Sequence, residues 1–268
     1  MRTTEFSGVA GVEVHDVDLN MELASGDITE LQSALLRTHL LVFHEQDIDS
    51  IAQARFLSHF GQLKKQNGEP MVEYVSTSRP DDIAGPGRLL FHSDACFTTT
   101  PPYGSSLYPL KLSSNAPATM FANMETAFMR LPDAVKTRIM PLTAVNVFDE
   151  TSRAEQYRIR KLDLRPEDQK LFPHATHPAV LHLPLSSSPV LFVSEHQTSH
   201  FVELDAEDGE ELYQDLLSYI YTEDNIIVYE WQIGDLLVWN NLALQHARPA
   251  ATDAFTRELR RIQLSSAS

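Results

Sequence analysis

Apolar positions recur along this chain in two different periods. Val9, Val12, Val14 and Val17 lie among glycines and carboxylates and predict an opening strand. Asp27-Ile28-Thr29-Glu30 reads as a helix N-cap with a carboxylate three residues later, and Ile28, Leu31, Leu35 and Leu36 follow at helical spacing. The run Leu40-Leu41-Val42-Phe43 is short, apolar and partly β-branched, which predicts a buried strand. A second helix is expected over 50–60, burying Ile51, Phe56, Leu57 and Phe60 and stopping at Gly61. Residues 62–90, with Pro70, Pro80, Gly85, Pro86 and Gly87, read as a long irregular excursion of the kind used for lids and binding loops. Helical pattern returns over 124–140 and 206–222, where Leu212, Leu216, Leu217 and Ile220 share a face. Strands then follow over 226–231, 236–239 and 258–264, with a turn at Gly234-Asp235. The sum is an α+β protein with a mainly β, antiparallel core, read as one domain over 1–268.

Composition narrows what such a fold could do. With 21 Lys+Arg against 37 Asp+Glu the formal charge is −16, so a phosphate backbone would be repelled and no nucleic-acid partner is expected. A 43% share of hydrophobic residues suits a buried core. No stretch reaches the roughly 18 to 20 apolar residues of a membrane helix, so no membrane partner is expected. Met1-Arg2-Thr3-Thr4-Glu5-Phe6 lacks the apolar core of a secretion signal. The lone Cys96 cannot form an internal disulfide, and a cytoplasmic location is expected.

Three features carry candidate chemistry. Among 11 histidines, His92 has a carboxylate two residues on, in His92-Ser93-Asp94, and on a strand the two side chains would share a face. Taken alone, the tripeptide reads equally as a surface strand with an incidental ion pair. His246 ends the stretch Trp239-Asn240-Asn241-Leu242-Ala243-Leu244-Gln245-His246, just past a strand and a turn, where it could be a hydrogen-bonded core residue or a ligand. Two imidazoles and one carboxylate are what a mononuclear iron facial triad requires. In Arg257-Glu258-Leu259-Arg260-Arg261-Ile262-Gln263-Leu264, alternation puts Arg257, Leu259 and Arg261 on one face. Two guanidinium forks there could each hold an anion, or the strand could be a charged edge guarded against aggregation.

Taken in order, these residues resemble the taurine/2,4-dichlorophenoxyacetate dioxygenases, a branch of the iron(II)/2-oxoglutarate-dependent oxygenases. The likeness runs through Gly11-Val12-Glu13-Val14-His15-Asp16-Val17-Asp18-Leu19, Leu40-Leu41-Val42-Phe43, Phe91-His92-Ser93-Asp94-Ala95-Cys96-Phe97 and Thr119-Met120-Phe121-Ala122-Asn123-Met124. It continues through His177-Pro178, Leu191-Phe192-Val193-Ser194 and Trp231 to Trp239, closing on His246, Arg257 and Arg261. The chain departs from the family at Asn115-Ala116-Pro117-Ala118 in place of a glycine pair, at Phe91 in place of Trp, and at Asn240 in place of Asp.

The resemblance implies a double-stranded β-helix (jelly roll) with helices packed on its outer face. It implies that His92, Asp94 and His246 are the metal ligands and that Fe(II), 2-oxoglutarate and O2 are the cofactors. Arg257 matches the arginine that pairs with the distal carboxylate of 2-oxoglutarate, Thr119 matches the threonine that contacts the same cosubstrate, and Arg261 matches a position that can engage an acidic substrate group. The implied reaction oxidises a C–H bond of a small, polar or anionic metabolite and releases succinate and CO2. A carboxylate at Asp94, where halogenases of the superfamily carry Gly or Ala, points to oxygen transfer. Arg88, Arg79 and Lys64 could attract an anionic substrate, with Arg88 favoured because it lies four residues before His92. Family members are often dimers or tetramers, so a homo-oligomer is an open expectation. Two rivals from other classes use the same residues: a non-catalytic metal-binding jelly roll that holds a small ligand, and a zinc hydrolase. His174, His177 and His182 lack a companion cysteine or carboxylate and read as structural.

Overall fold

In a computed structural model of the chain, residues 1–79, 87–148, 173–251 and 253–267 are described. The larger sheet runs in the order Arg2–Glu5, Val12–His15, Leu40–Phe43, Leu236–Asn240, Gly104–Leu112, Arg257–Ala267 and Gly61–Leu63, and Val72–Ser76 also pairs with Arg257–Ala267. A second sheet orders Ile226–Tyr229, Thr119–Asn123, Leu244–Arg248 and Leu89–His92. Neighbours in these two sheets pair antiparallel except Val12–His15 with Leu40–Phe43, which run parallel.

Side-chain alternation explains why the two sheets close on each other. Leu40, Val42, Leu107, Leu237, Trp239 and Leu259 of the larger sheet form one cluster with Phe121, Ile227, Tyr229 and Leu244 of the smaller. Leu41, Phe43, Leu236 and Val238 point the other way and pack with Leu31, Leu35, Phe56 and Leu57 of the helices Ser25–Thr38 and Ser50–Leu57. With both faces covered, all four residues of Leu40–Phe43 are buried, which accounts for an unbroken apolar run where a half-exposed strand would alternate. Each such side chain contributes about 1.5–3 kcal/mol by leaving water. The architecture is the expected jelly roll with helices outside.

Several local expectations need correction. The first helix starts at Ser25 and has no side-chain cap, so Asp27 sits in its first turn and does not cap it. The second is α-helical over Ser50–Leu57 with the Asp49 carboxylate accepting from Ala52 N–H at 2.8 Å, and it tightens to a 3-10 turn over Ser58–Phe60. Ile51 is exposed, because the buried face is set by Ala52, Ala54, Phe56 and Leu57. A Cβ at Gly61, where φ is 150°, would run into the Ser266 carbonyl, so the stop at this glycine is enforced by a neighbouring strand. The stretch 124–140 is two helices, Met124–Arg130 and Asp133–Ile139, broken at Leu131-Pro132.

The largest correction falls on 62–90, whose residues 80–86 lie outside the described part. Up to residue 76 it is built of short strands. Lys65–Gln66 and Glu69–Pro70 form a hairpin about Asn67-Gly68, both with positive φ, and Val72–Ser76 joins the larger sheet. Strands of two to five residues are too brief for periodicity to register. The last strand is longer than expected, Arg257–Ala267, whereas the one starting at Ile226 stops at Tyr229.

Candidate metal centre

His246 lies in strand Leu244–Arg248 and pairs in register with His92, the last residue of strand Leu89–His92. Antiparallel partners bring Cβ atoms to about 5 Å, and here the imidazole centroids are 4.3 Å apart. Asp94 does not lie on a strand. The chain leaves the sheet after His92 and turns through 94–97, with Ala95 at a φ of 52°, so a turn and not strand alternation returns the carboxylate to its histidine. Asn241 locks that turn: its Oδ1 accepts from Asp94 N–H at 2.8 Å, and its Nδ2 donates to the carbonyls of Asp94 at 3.1 Å and Pro102 at 2.9 Å. Asp94 Oδ1 is 3.9 Å from His92 Nε2 and 3.8 Å from His246 Nε2. One ligand atom from each of the three side chains lies within 4.8 Å of the others, and among the described residues no other group of His, Cys, Asp and Glu does this.

The electrostatics suit a divalent cation. Burial, with His246 nearby, pushes the His92 imidazole down to about 4, and burial also lowers that of His246, so both are neutral ligands at neutral pH. His92 Nδ1 lies 2.7 Å from the Leu90 carbonyl; a proton there leaves Nε2 bare toward Asp94. Burial alone would raise the Asp94 carboxyl, but the Arg261 guanidinium outweighs it and holds the group well below the usual carboxylate range. Arg261 Nη1 donates to Asp94 Oδ1 at 2.8 Å and Gln263 Nε2 donates to Oδ2 at 2.8 Å, so the carboxylate is fixed from both sides.

A cavity of about 350 Å³ opens beside these groups. Arg257 lies on its wall, with Nη2 donating to Thr119 Oγ1 at 2.6 Å. Arg257 is 3% exposed, its Nε has no partner among the described residues, and no carboxylate among them pairs with its guanidinium. Its pKa is pulled down by burial and then by Arg248. A buried cation without an anion is costly, and a ligand carboxylate at this point would answer it. The residues therefore fit both a metal ion and a dianionic cosubstrate.

The remaining expected residues divide. Arg261 lines the cavity, but its Nη2 is engaged by Glu73 at 2.9 Å as well as its Nη1 by Asp94. Lys64 also lines the cavity, with Nζ donating to Gln263 Oε1 at 3.3 Å. Arg88 is not part of the cavity wall: it is exposed and pairs with Glu195 at 3.5 Å. Arg79 stacks on Tyr74 and pairs with Glu258 at 3.4 Å. Cys96 is buried, with Sγ donating to Gln197 Oε1 at 2.6 Å. His177 binds the Thr98 carbonyl at 2.9 Å and packs on Phe192, a structural role. The departures from family pattern are accommodated: Phe91 stacks on Tyr221 at 4.6 Å, and Asn240 Oδ1 accepts from Leu242 N–H at 3.0 Å. Sequence reasoning missed Asn241, Glu73 and Gln263. Gln263 was within reach of it, being two residues from Arg261 on the inward face.

A jelly roll whose cavity holds two imidazoles, a carboxylate and an unanswered arginine defines the class of mononuclear iron(II)- and 2-oxoglutarate-dependent dioxygenases. The chain belongs to the taurine catabolism dioxygenase TauD, TfdA family, which matches residues 2–263. It is similar to an alkylsulfatase of Acinetobacter baylyi, 26% identical over 99% of this chain and 85% of that protein. It is also similar to an alpha-ketoglutarate-dependent 2,4-dichlorophenoxyacetate dioxygenase of Cupriavidus pinatubonensis, 24% identical over 94% and 92% of the two chains. Among solved structures, a taurine dioxygenase from Burkholderia xenovorans superposes with a TM-score of 0.81 at 22% identity, covering 98% of this chain and 90% of that one. AAD-2, solved with Mn(II) and N-oxalylglycine, has the same fold at a TM-score of 0.81 and 24% identity, over 98% and 96%. The chain is thus an oxidoreductase dependent on Fe(II), 2-oxoglutarate and O2 and acting on a small molecule. No helix among the described residues is long and apolar enough to cross a membrane.

Proposed function

We propose that His92, Asp94 and His246 hold the iron(II), that Arg257 and Thr119 receive the distal carboxylate of 2-oxoglutarate, and that the enzyme oxidises a small polar or anionic metabolite. The observation that carries this reading is the convergence of three donor atoms, within 4.8 Å of one another, on a cavity that also holds a buried arginine with no carboxylate partner among the described residues. When bound, iron with 2-oxoglutarate and O2 supplies the oxidising power that breaks a C–H bond, with succinate and CO2 released.

The chain's own residues prepare that chemistry. The imidazoles stay neutral through burial, and Asp94 stays ionised through Arg261. Asn241, Arg261 and Gln263 fix its orientation before any metal arrives. Arg257 offers a planar fork that a lysine would not reproduce. Phe97, Phe148 and Val75 add apolar wall on which the substrate's carbon frame can rest. The relatives named for alkyl sulfates and for 2,4-dichlorophenoxyacetate support an anionic substrate. Because Arg261 is committed to two carboxylates, Lys64, whose Nζ among the described residues bonds only the neutral amide of Gln263, is a cation of the cavity wall that can meet an acidic substrate group.

The test is spectroscopic. Anaerobic Fe(II) plus 2-oxoglutarate should give a weak charge-transfer band in the visible range that is absent from His92→Ala and Asp94→Ala proteins. A metabolite screen read by oxygen-dependent succinate release then finds the substrate. No band and no succinate would end the proposal.

A further inference from the structure

Proton bookkeeping at Thr119 identifies a positioning residue outside the expected set. Thr119 opens strand Thr119–Asn123, is almost wholly buried and lines the cavity. Its Oγ1 is approached by two groups, Arg257 Nη2 at 2.6 Å and the indole Nε1 of Trp231 at 2.9 Å. Arginine and indole nitrogens can only donate, whereas a hydroxyl has one proton and two lone pairs. Both lone pairs of Oγ1 are therefore occupied, and the hydroxyl proton cannot point at either neighbour. No acceptor for it exists among the described residues, which leaves the cavity.

We propose that Trp231 is a positioning residue for the cosubstrate: by filling the second lone pair of Thr119 it turns that hydroxyl into an oriented donor for the distal carboxylate of 2-oxoglutarate. Without the indole N–H, Oγ1 would have a free lone pair, the hydroxyl would rotate, and part of its donor character would be spent on disorder. The indole ring also stands near the guanidinium, with Arg257 Cζ 5.9 Å from the ring centroid.

The fold holds Trp231 for this task. Its ring meets Tyr229 edge-on at 5.2 Å. Tyr229 Oη and the Gln232 N–H both donate to Asp235 Oδ2 at 2.7 Å, closing the turn that follows the tryptophan. His44 Nδ1 contacts Asp235 Oδ1 at 2.8 Å and ties the turn to the larger sheet.

This inference rests on the cosubstrate placement proposed above, and the experiment separates the two. 2-Oxoglutarate and 2-oxopentanoate, which has the same keto acid but no distal carboxylate, are titrated calorimetrically into anaerobic Mn(II)-loaded full-length protein. Trp231→Phe should weaken 2-oxoglutarate about tenfold, the ratio that ~1.4 kcal/mol represents, and leave 2-oxopentanoate within about twofold. In a Thr119→Val background the same change should alter 2-oxoglutarate binding by less than about twofold, because the two residues act as a unit. Equal losses for both ligands, or additive losses in the double variant, would show general damage and overturn the proposal. Failure of the parent protein to bind 2-oxoglutarate would overturn the cosubstrate placement itself, and this inference with it. A second measurement needs no change at 231. The chain has two tryptophans, and in 15N-tryptophan protein Thr119→Val should shift one indole N–H resonance and speed its solvent exchange. An unchanged pair of resonances would refute the hydrogen bond.

Discussion

Arg261→Leu isolates the charge network under the metal site. In the parent protein one guanidinium serves two carboxylates, Asp94 at 2.8 Å and Glu73 at 2.9 Å, and all three side chains are largely buried. Removing one partner of a buried pair costs about 3–5 kcal/mol, because an uncompensated charge stays behind. For a chain of this length that amounts to a fall of roughly 10 °C in the metal-free melting temperature. Arg261→Leu/Glu73→Leu removes one stranded carboxylate together with the arginine and should recover about 1–3 kcal/mol of the loss. The sign with pH follows from Asp94. Its folded pKa is depressed below the ordinary 3.8, so the stabilisation is present above that value and lost as pH falls toward the folded one. The deficit of the single variant should therefore be full at neutral pH and shrink in acid. Equilibrium urea unfolding of the metal-free proteins measures the loss, the recovery and the pH dependence, and thermal melting measures the temperature shift. A single variant that loses less than about 1 kcal/mol, or a double variant no more stable than the single, would refute the claim that Arg261 is an internal counter-ion.

Four groups give further tests. Asn241→Ala strands three buried backbone groups around Asp94 and should cost about 3 kcal/mol and lower metal affinity about 10- to 100-fold, read by urea unfolding and equilibrium dialysis. Arg257→Met removes a buried cation that no carboxylate among the described residues answers, so the metal-free protein should melt higher while 2-oxoglutarate binding, followed by calorimetry, falls at least about tenfold. Burial alone would lower the His44 pKa, but Asp235 and then Glu13 outweigh it and raise it above the ordinary 6.5. Its stabilisation is full below that value and lost as pH rises through the folded pKa, so melting temperature should decline across this window in the parent and stay flatter in His44→Gln. Lys64→Met should raise KM for an anionic substrate about tenfold or more without changing the KM for 2-oxoglutarate; steady-state succinate assays decide it.

The commitment of Arg261 bears on substrate choice. The resemblance led us to expect it to engage an acidic substrate group, yet Glu73 arrives from strand Val72–Ser76 and pairs with it. Strand pairing places Glu73 directly opposite Arg261, so the same register that completes the sheet also sets the charge of the cavity.

Much of this protein was legible in residue order alone. The apolar run Leu40–Phe43, the shared face of Leu212, Leu216 and Ile220, and the inward row of Arg257, Leu259 and Arg261 all follow from local periodicity, which the backbone enforces wherever the strand or helix lies. The family likeness added the fold and the expectation that His92, Asp94 and His246 act together, and the three do converge. Periodicity says which way a side chain points but not what stands across from it. His246 faces His92 through the pairing of two strands, Asp94 is returned by a turn held by Asn241, and Arg261 meets Glu73 across a strand too short to announce itself. Those juxtapositions depend on register between remote segments, and register is decided only when the two sheets bury their shared core.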